Sequence, residues 1–152
     1  PRCLEDVEAL SLKDKANANT FSVLAPLYGA LGMQDKQDAI LAERLAANPN
    51  DFMANLVKGQ ALMNASKWDE AIATLQKATA AKDDALALTF LGFCYNNKAA
   101  QQQDVAAMKG LFEKAKECFE KARDIDPNQQ RASWSYMLDN TNYNLERLNG
   151  GK

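Results

Sequence analysis

The sequence predicts an all-α fold in which helical hairpins stack on one another, and three observations support this. Apolar residues recur at steps of three and four, the period of an amphipathic helix. No segment keeps the alternation of a β-strand for long. Three stretches also end alike at a fixed offset, which is the signature of a repeat architecture. They are AILAERLAANP at 39–49, AIATLQKATAAKD at 71–83 and AKECFEKARDIDP at 115–127.

The composition is that of a globular protein without an obvious nucleic-acid or membrane partner. The chain has 152 residues, 47% of them hydrophobic and 25% charged, which suits three to four stacked helical repeats. Its 18 Lys and Arg and 20 Asp and Glu give a net charge of −2. The two signs are interspersed, so the basic stripe of a nucleic-acid binder is missing. No apolar run approaches the ~20 residues of a membrane-spanning helix.

The sequence offers little that could carry catalysis. It contains no histidine, the commonest general base and metal ligand. No phosphate-binding loop, nucleophile elbow or zinc-protease motif occurs. Adjacent carboxylates such as Asp69 and Glu70 do not face each other on a helix, and acids at helix starts favour the dipole. We therefore expect no enzymatic activity, cofactor or metal, and an enzyme would need a partner domain to supply the chemistry.

The three cysteines, Cys3, Cys94 and Cys118, form no CxxC pair. We expect reduced, mostly buried thiols that act as small hydrophobes. A Cys94–Cys118 bridge is the alternative, because both fall on adjacent helices of one hairpin. Reduced thiols favour a cytoplasmic setting. The chain starts at Pro1 without Met, so the sequence leaves open an exported form whose leader was removed.

Breakers and caps predict about eight helices joined by short turns. Their approximate ranges are 3–12, 20–31, 34–47, 52–64, 68–80, 85–95 with an extension, 106–125 and 130–148. Expected N-caps are Asn19 or Thr20, Asn50 or Asp51, Ser66, and Asp83 or Asp84. Gly32 suits the position after a helix. Pro26 lies inside a helical pattern, so that helix is either kinked or begins later.

One hairpin is longer than the others. Tyr95 and Ala115 are 20 residues apart, where a standard repeat needs about nine. The intervening segment is rich in Ala, Gln and Lys, which are good helix formers. We expect it to lengthen both helices and to make this hairpin protrude by about 8 Å.

Two central segments carry a recurring set of small and large residues. Residues 52–85 have Gly59, Leu62, Ala71, Leu75, Ala78 and Asp83, and residues 85–129 have Leu91, Gly92, Tyr95, Ala115, Phe119, Ala122 and Pro127. This set resembles the tetratricopeptide repeat (TPR) family, whose unit is a helix–turn–helix of about 34 residues. Residues 85–129 exceed that length by about 11 residues.

The resemblance implies a single domain over residues 1–152, a TPR-like helical-hairpin solenoid or α-α superhelix. Residues 1–17 would form a truncated N-terminal helix and 18–51 a weak repeat, in which Gln37 and Arg44 stand where the family has Ala. Residues 52–85 would form a repeat, 85–129 a repeat with an extended hairpin, and 130–149 a capping helix.

The resemblance also implies a binding surface, the concave groove lined by the first helices of the repeats. Its expected contacts are Met53, Leu56, Gln60, Met63, Leu86, Thr89, Phe93 and Asn96, with Asn19 and Ser22 from the weak repeat. Met53, Met63, Leu86 and Phe93 also lie at helical spacing, so the alternative is that they belong to the core. The family's carboxylate clamp of Lys, Asn and Arg is missing, so an acidic C-terminal tail is not the expected ligand.

Two functions follow as expectations. The first is a non-catalytic scaffold that binds a peptide or helix of a partner protein through this groove. The second is a self-associating module, for example a homodimer, or a spacer within a larger protein, which would use the capping helix or the hairpin at 96–114. Tyr136 and Tyr143 are candidate exposed anchors on the capping helix.

Overall fold

The computed structural model describes residues 18–150. Within this range all regular secondary structure is helical, and no strand is present. Its helices are α1 (Ala18–Ala30), α2 (Gln34–Ala47), α3 (Phe52–Asn64), α4 (Trp68–Ala81), α5 (Ala85–Ala100), α6 (Val105–Ile125) and α7 (Ser135–Gly150). The all-α prediction is confirmed. The helix expected at 3–12 lies outside the described residues. No helix between residues 18 and 150 is both long and apolar enough to cross a bilayer.

Each helix packs against the next one along the chain, and the connections are short. In addition, α1 contacts α3, and α3 contacts α5. Since a helix that returns along its predecessor after a short turn must run antiparallel to it, the chain forms helical hairpins. The alternate helices α1, α3 and α5 therefore lie beside one another as well as beside their hairpin partners.

The buried apolar residues form three clusters. The largest runs from α3 to α7 and includes Leu75, Leu91 and Phe119. A second joins α1, α2 and α3, and Met53 packs against both of these clusters. The third is small and lies between α5, α6 and α7. No single hairpin encloses its own apolar face, so neighbouring hairpins complete the core.

Two glycines allow the helices of the central hairpins to approach closely. A Cβ placed on Gly59 of α3 would lie 2.5 Å from two side-chain carbons of Leu75 in α4. A Cβ on Gly92 of α5 would lie 2.7 Å from the ring of Phe119 in α6. Real Cβ atoms do not approach neighbours this closely, so each large side chain fills the space that glycine leaves empty.

The first hairpin is built differently at the corresponding place. Gln37 of α2 is buried, and its Nε2 donates a hydrogen bond of 2.8 Å to the carbonyl oxygen of Ala25 in α1. Its Oε1 accepts from Nε2 of Gln34 at 3.1 Å. A buried amide with both groups bonded is stable inside a core, which explains how this hairpin tolerates Gln where the repeat pattern has Ala.

Aspartates cap three of the helices. Side chains of Asp51, Asp84 and Asp104 accept hydrogen bonds from the third backbone N–H of α3, α5 and α6, at 2.9, 3.1 and 3.0 Å. Asp51 and Asp84 were each one of two predicted caps, whereas the cap at Asp104 was not expected. Asp51 also forms an ion pair with Arg44 at 2.6 Å. Burial raises the pKa of Asp51, but the Arg44 guanidinium and the Ala54 N–H together lower it below its usual value.

The prediction that Ser66 caps α4 is wrong. Ser66 has φ of 61°, and its N–H donates to the carbonyl of Met63, while the N–H of Lys67 donates to that of Leu62. These two bonds close the end of α3 in a left-handed turn. Ser66 therefore ends the preceding helix, and Lys67 occupies the N-cap of α4 without a side-chain bond.

The two ends of α1 test the predictions made for this helix. The helix already includes residues 18–20, so neither Asn19 nor Thr20 is its N-cap, and it does not begin later to avoid Pro26. At its other end Gly32 has φ of 72°, and the N–H of Met33 donates to the carbonyl of Tyr28. The predicted role of Gly32 in ending this helix is confirmed.

The last helix begins at Ser135, five residues later than periodicity predicts. The Asp126 carboxylate accepts hydrogen bonds from the backbone N–H groups of Gln130, Arg131 and Ala132, at 2.9, 2.8 and 3.1 Å. Trp134 Nε1 donates to the Asp126 carbonyl at 2.7 Å. These bonds satisfy the backbone of residues 130–132 outside a helix, which is why the helix starts only after Trp134.

The long hairpin extends through its helices, as predicted. α5 has 16 residues and α6 has 21, whereas α3 has 13 and α4 has 14. Ala99, Phe112 and Leu145 are buried together, so α7 covers the inner side of this extension.

Cys94 and Cys118 are free and buried, so the alternative of a bridge between them is wrong. Burial raises the pKa of both thiols to about 12.

Replacement of Gly92 by Ala tests the close approach of α5 and α6. The added methyl group would meet the Phe119 ring, and overpacking of this kind costs ~1–3 kcal/mol. That cost exceeds the gain of up to ~1 kcal/mol from removing a helical glycine. We expect Gly92→Ala to lower the free energy of unfolding, measured by urea denaturation followed by circular dichroism.

Gly110→Ala is the matched control on the same hairpin, because a Cβ at Gly110 meets nothing within 4 Å. Here only the propensity gain remains, so we expect stabilisation by about 0.5–1 kcal/mol. Equal stability of the two variants would contradict the packing argument.

Asp126 predicts a pH dependence of stability. Burial raises the pKa of Asp126, but hydrogen bonds from three backbone N–H groups lower it by a larger amount. The pKa in the folded state therefore lies below its usual value near 3.8. The charged form is therefore favoured by folding, and its contribution is present above about pH 4 and lost as pH falls through the lowered pKa. We expect Asp126→Asn to be destabilised at pH 7, with the difference from wild type shrinking below pH 4.

Urea denaturation of both proteins at several pH values measures this difference. Asp124→Asn is the control, since Asp124 is exposed and, within the described part of the chain, pairs only with the neighbouring Arg123, at 3.6 Å. A stability gap for Asp126→Asn that does not change between pH 7 and pH 3 would contradict the assignment.

Candidate protein-binding surface

Eight of the predicted contact residues lie on α3 and α5, two of the three alternate helices that touch one another in series. This arrangement brings their side chains toward a shared region. The structure nevertheless separates them into buried, half-buried and exposed groups, and only part of the set has surface to offer a ligand.

Two of the predicted contacts belong to the core. Leu56 is 6% exposed and Thr89 is 3% exposed. The Thr89 hydroxyl donates to the carbonyl oxygen of Ala85 one turn earlier, at 2.7 Å. Both side chains are thus used within the protein. For Leu56 this agrees with the alternative that apolar residues at helical spacing belong to the core.

Five of the predicted contacts are half-buried, and four of these are apolar. Met53, Met63 and Leu86 pack against the largest core cluster while keeping part of their surface. Phe93 meets Trp68 edge to face, with ring centroids 5.9 Å apart and an interplanar angle of 67°. An aromatic pair of this geometry adds stability beyond area burial. Phe93 is therefore held in place and still partly accessible.

Asn96 connects α5 to the last helix. Its Oδ1 lies 3.0 Å from the hydroxyl of Thr141 in α7, and Thr141 is fully buried. The same hydroxyl lies 2.8 Å from the carbonyl oxygen of Met137. Asn96 thus positions α7 against α5, and a ligand would reach only the rest of its half-exposed side chain.

Gln60 is the one exposed residue among the predicted contacts on α3 and α5, and it lines a cleft of about 420 Å³. We call it the α1–α3 cleft. Its lining residues are Pro26, Gly29, Ala30, Gln34, Gln37, Val57, Gln60, Ala61 and Asn64. All of them are uncharged, and four carry side-chain amides.

Most of this cleft was missed at the sequence level. Within the weak repeat, only Asn19 and Ser22 were expected to contribute; the side chain of Asn19 is not described, and Ser22 is exposed on α1. The repeat register, continued one and two turns further along, falls on Pro26 and Gly29, and would have found them. No comparable signal marks Gln34, which belongs to the start of α2.

A second surface cleft, of about 340 Å³, lies where α4 begins and α5 ends. Its character is ionic, because Lys98 and Asp69 pair across it at 2.5 Å. The charges of these two side chains are matched to each other. This cleft therefore has less to offer an external ligand than the uncharged α1–α3 cleft.

Comparison with models of known protein families finds no match to this chain, and comparison with curated proteins finds no similar sequence either.

The division into core and surface can be tested by truncation. Leu56→Ala removes a buried side chain and should lower the free energy of unfolding by about 2–5 kcal/mol. Gln60→Ala removes an exposed one and should change it by no more than ~0.5 kcal/mol. Urea denaturation of both variants measures this, and a mild effect of Leu56→Ala would return Leu56 to the accessible surface.

Proposed function

We propose that this chain is a TPR-like stack of helical hairpins that binds a peptide or helix of a partner protein, without catalysis of its own. The binding surface is the concave face formed by α1, α3 and α5. The observation that carries this proposal is the α1–α3 cleft, which opens between two alternate helices and combines uncharged amides with small apolar residues.

Half-buried side chains on α3 and α5 support the same function. Met63 and Phe93 keep part of their apolar surface on α3 and α5. Methionine adapts its shape to different partners, and apolar anchors flanked by hydrogen-bonding groups are what a docked peptide or helix requires. The surface thus offers both kinds of contact within neighbouring helices.

The chemistry of this face also limits the partner. In the TPR proteins that clamp an acidic C-terminal tail, Lys, Asn and Arg occupy the positions that are Leu56, Gln60, Thr89 and Phe93 here. Leu56 and Thr89 are buried, and none of the four carries a positive charge. The proposed partner therefore binds through apolar and amide contacts rather than through a terminal carboxylate.

Selection of peptides from a phage-displayed random library on the immobilised protein tests this function. We expect peptides that bind saturably in a fluorescence titration and lose affinity for the triple variant Gln60→Glu, Met63→Gln, Phe93→Gln. The variant places a charge and two amides on the concave face. Circular dichroism must show that its helices are intact.

The matched control carries Glu117→Gln and Lys121→Gln, two exposed changes on α6. It should bind the selected peptides as the wild type does. Peptides that bind the triple variant unchanged, or a selection that yields no binder, would overturn the proposed function.

Self-association is the second candidate, and one observation favours it. Tyr136 is 72% exposed and Tyr143 is 58% exposed, and their spacing of seven residues places them on the same face of α7. Tyrosines are enriched at protein interfaces. This candidate requires the mass measured by light scattering to rise with protein concentration, and a constant monomer mass contradicts it.

A further inference from the structure

A pocket of about 360 Å³ lies at the end of the long hairpin, and we call it the hairpin-end pocket. Its lining residues are Ala100, Met108, Phe112, Asn144, Arg147 and Leu148. The first three fall within residues 96–114, the segment that makes this hairpin longer than a standard repeat. The other three come from the second half of α7. The pocket therefore arises from the extra length of the hairpin and from the helix that covers it, not from the repeat pattern.

The floor of the hairpin-end pocket is apolar. Phe112 is buried in the small cluster between α5, α6 and α7, and Met108 and Leu148 pack against that cluster while keeping part of their surface. Val105, at the start of α6, is 54% exposed. Residues 105, 108 and 112 share one face of α6, so the apolar stripe of this helix continues from the pocket toward solvent.

The charge at the rim comes from one side chain. Among the described residues that line the pocket, only Arg147 is charged, and it is exposed. Its guanidinium carbon lies 5.8 Å from the centroid of the Tyr143 ring, one turn earlier in α7. No ion pair engages Arg147 within residues 18–150. A guanidinium above an aromatic ring keeps N–H donors at its edge, where a carboxylate can bind with both oxygens.

Asn144 adds a second donor beside Arg147. Its Nδ2 donates to Oδ1 of Asn140 at 3.1 Å, and because an amide nitrogen carries two hydrogens, one is left for a ligand. A concave site with a mostly apolar lining and a few polar groups at one side is typical of small-molecule binding. The lining therefore suits a ligand with a hydrocarbon body and an acceptor group at its end.

The surrounding charges favour a single negative charge on that ligand. Arg147 disfavours a cation, and its one positive charge matches one carboxylate. The pocket also lies beside the C-terminal turn of α7, where the helix dipole is negative. A dianion such as a phosphate monoester would meet this negative end without a second positive side chain in the described lining.

We propose that the hairpin-end pocket binds an aliphatic monocarboxylate. The hydrocarbon chain lies on Met108, Phe112 and Leu148, and the carboxylate accepts hydrogen bonds from Arg147. Tyr143 is a positioning residue, because its ring holds the guanidinium at the rim. This inference goes beyond the proposed function and does not depend on it, since the pocket shares no residue with the predicted concave groove.

Titration with butanoate, hexanoate and octanoate, followed by NMR of the backbone amides of the whole chain, tests the site and the ligand class. We expect saturable shifts around the lining residues and affinity that rises by up to about fourfold for each added methylene group. Octan-1-ol should bind up to about fivefold more weakly than octanoate, as expected for the loss of an exposed ion pair. Octylamine should bind more weakly still.

Arg147→Gln tests the carboxylate contact. We expect it to weaken octanoate binding by about threefold to fivefold and to leave octan-1-ol binding unchanged. Arg123→Gln is the matched control, because Arg123 is also exposed and also lies in the last turn of a helix, but does not line the pocket. Tyr143→Ala should weaken octanoate binding alone, and Tyr143→Phe should preserve it because the ring remains.

Ala100→Leu tests the pocket itself by filling it. Ala100 is exposed, so the variant should fold as the wild type does, and we expect it to abolish saturable binding of octanoate and octan-1-ol. Ala106→Leu is the control, because Ala106 is exposed on α6 outside the pocket. Circular dichroism checks that the helices of both variants are intact.

N-acetylleucine distinguishes a free aliphatic acid from the end of a peptide chain, since both combine a carboxylate with an apolar group. We expect it to bind more weakly than octanoate, because its short branch cannot follow the apolar stripe toward Val105.

Several results would overturn the inference. They are the absence of octanoate binding, equal affinity for octanoate and octylamine, tighter binding of N-acetylleucine, and octanoate binding that Ala100→Leu and Arg147→Gln leave unchanged. None of them bears on peptide binding at the concave face, which is measured with separate ligands and separate variants.

Discussion

Close contact between the two helices of each central hairpin is the constraint on which the rest of the structure depends. At Gly59 and Gly92 the helix axes approach until Leu75 and Phe119 occupy the space where a Cβ would stand. A large side chain of one helix thereby packs directly against the backbone of its hairpin partner, and other apolar residues of the same helices contact the following hairpin. The core can then continue from α3 to α7 as one cluster, although each hairpin alone would leave its apolar face in water.

The first hairpin meets the same constraint with a polar solution, and the candidate site follows from it. Gln37 crosses from α2 to the backbone of α1, and this bond replaces the contact of two small residues. A buried amide must satisfy both of its groups, so Gln34 is drawn in as its second partner. The glutamine pair that joins α1 and α2 therefore also contributes amides to the lining of the α1–α3 cleft.

Burial decides how much side-chain surface α3 and α5 leave accessible. α5 packs against α3, α4, α6 and α7. Thr89 is therefore buried, and one side of Asn96 contacts Thr141, so neither of these surfaces is accessible to a ligand. α3 also contacts four helices, α1, α2, α4 and α5, yet Gln60 and Asn64 remain exposed on it. A residue's place in the repeat register gives its direction, whereas the neighbouring helices determine whether anything is left for a ligand.

The sequence by itself determined the helices and most of their ends. The three- and four-residue apolar period, the aspartates before α3 and α5, and Gly32 after α1 are local signals that act within a few residues, so they can be read without the fold. Only the tertiary structure decided that Ser66 ends a helix rather than starting one, that Asp126 delays α7 to Ser135, and that Leu56 is core while Gln60 lines a cleft. These outcomes depend on contacts between segments distant in the chain or on competition between two local bonds, and periodicity contains no information about either.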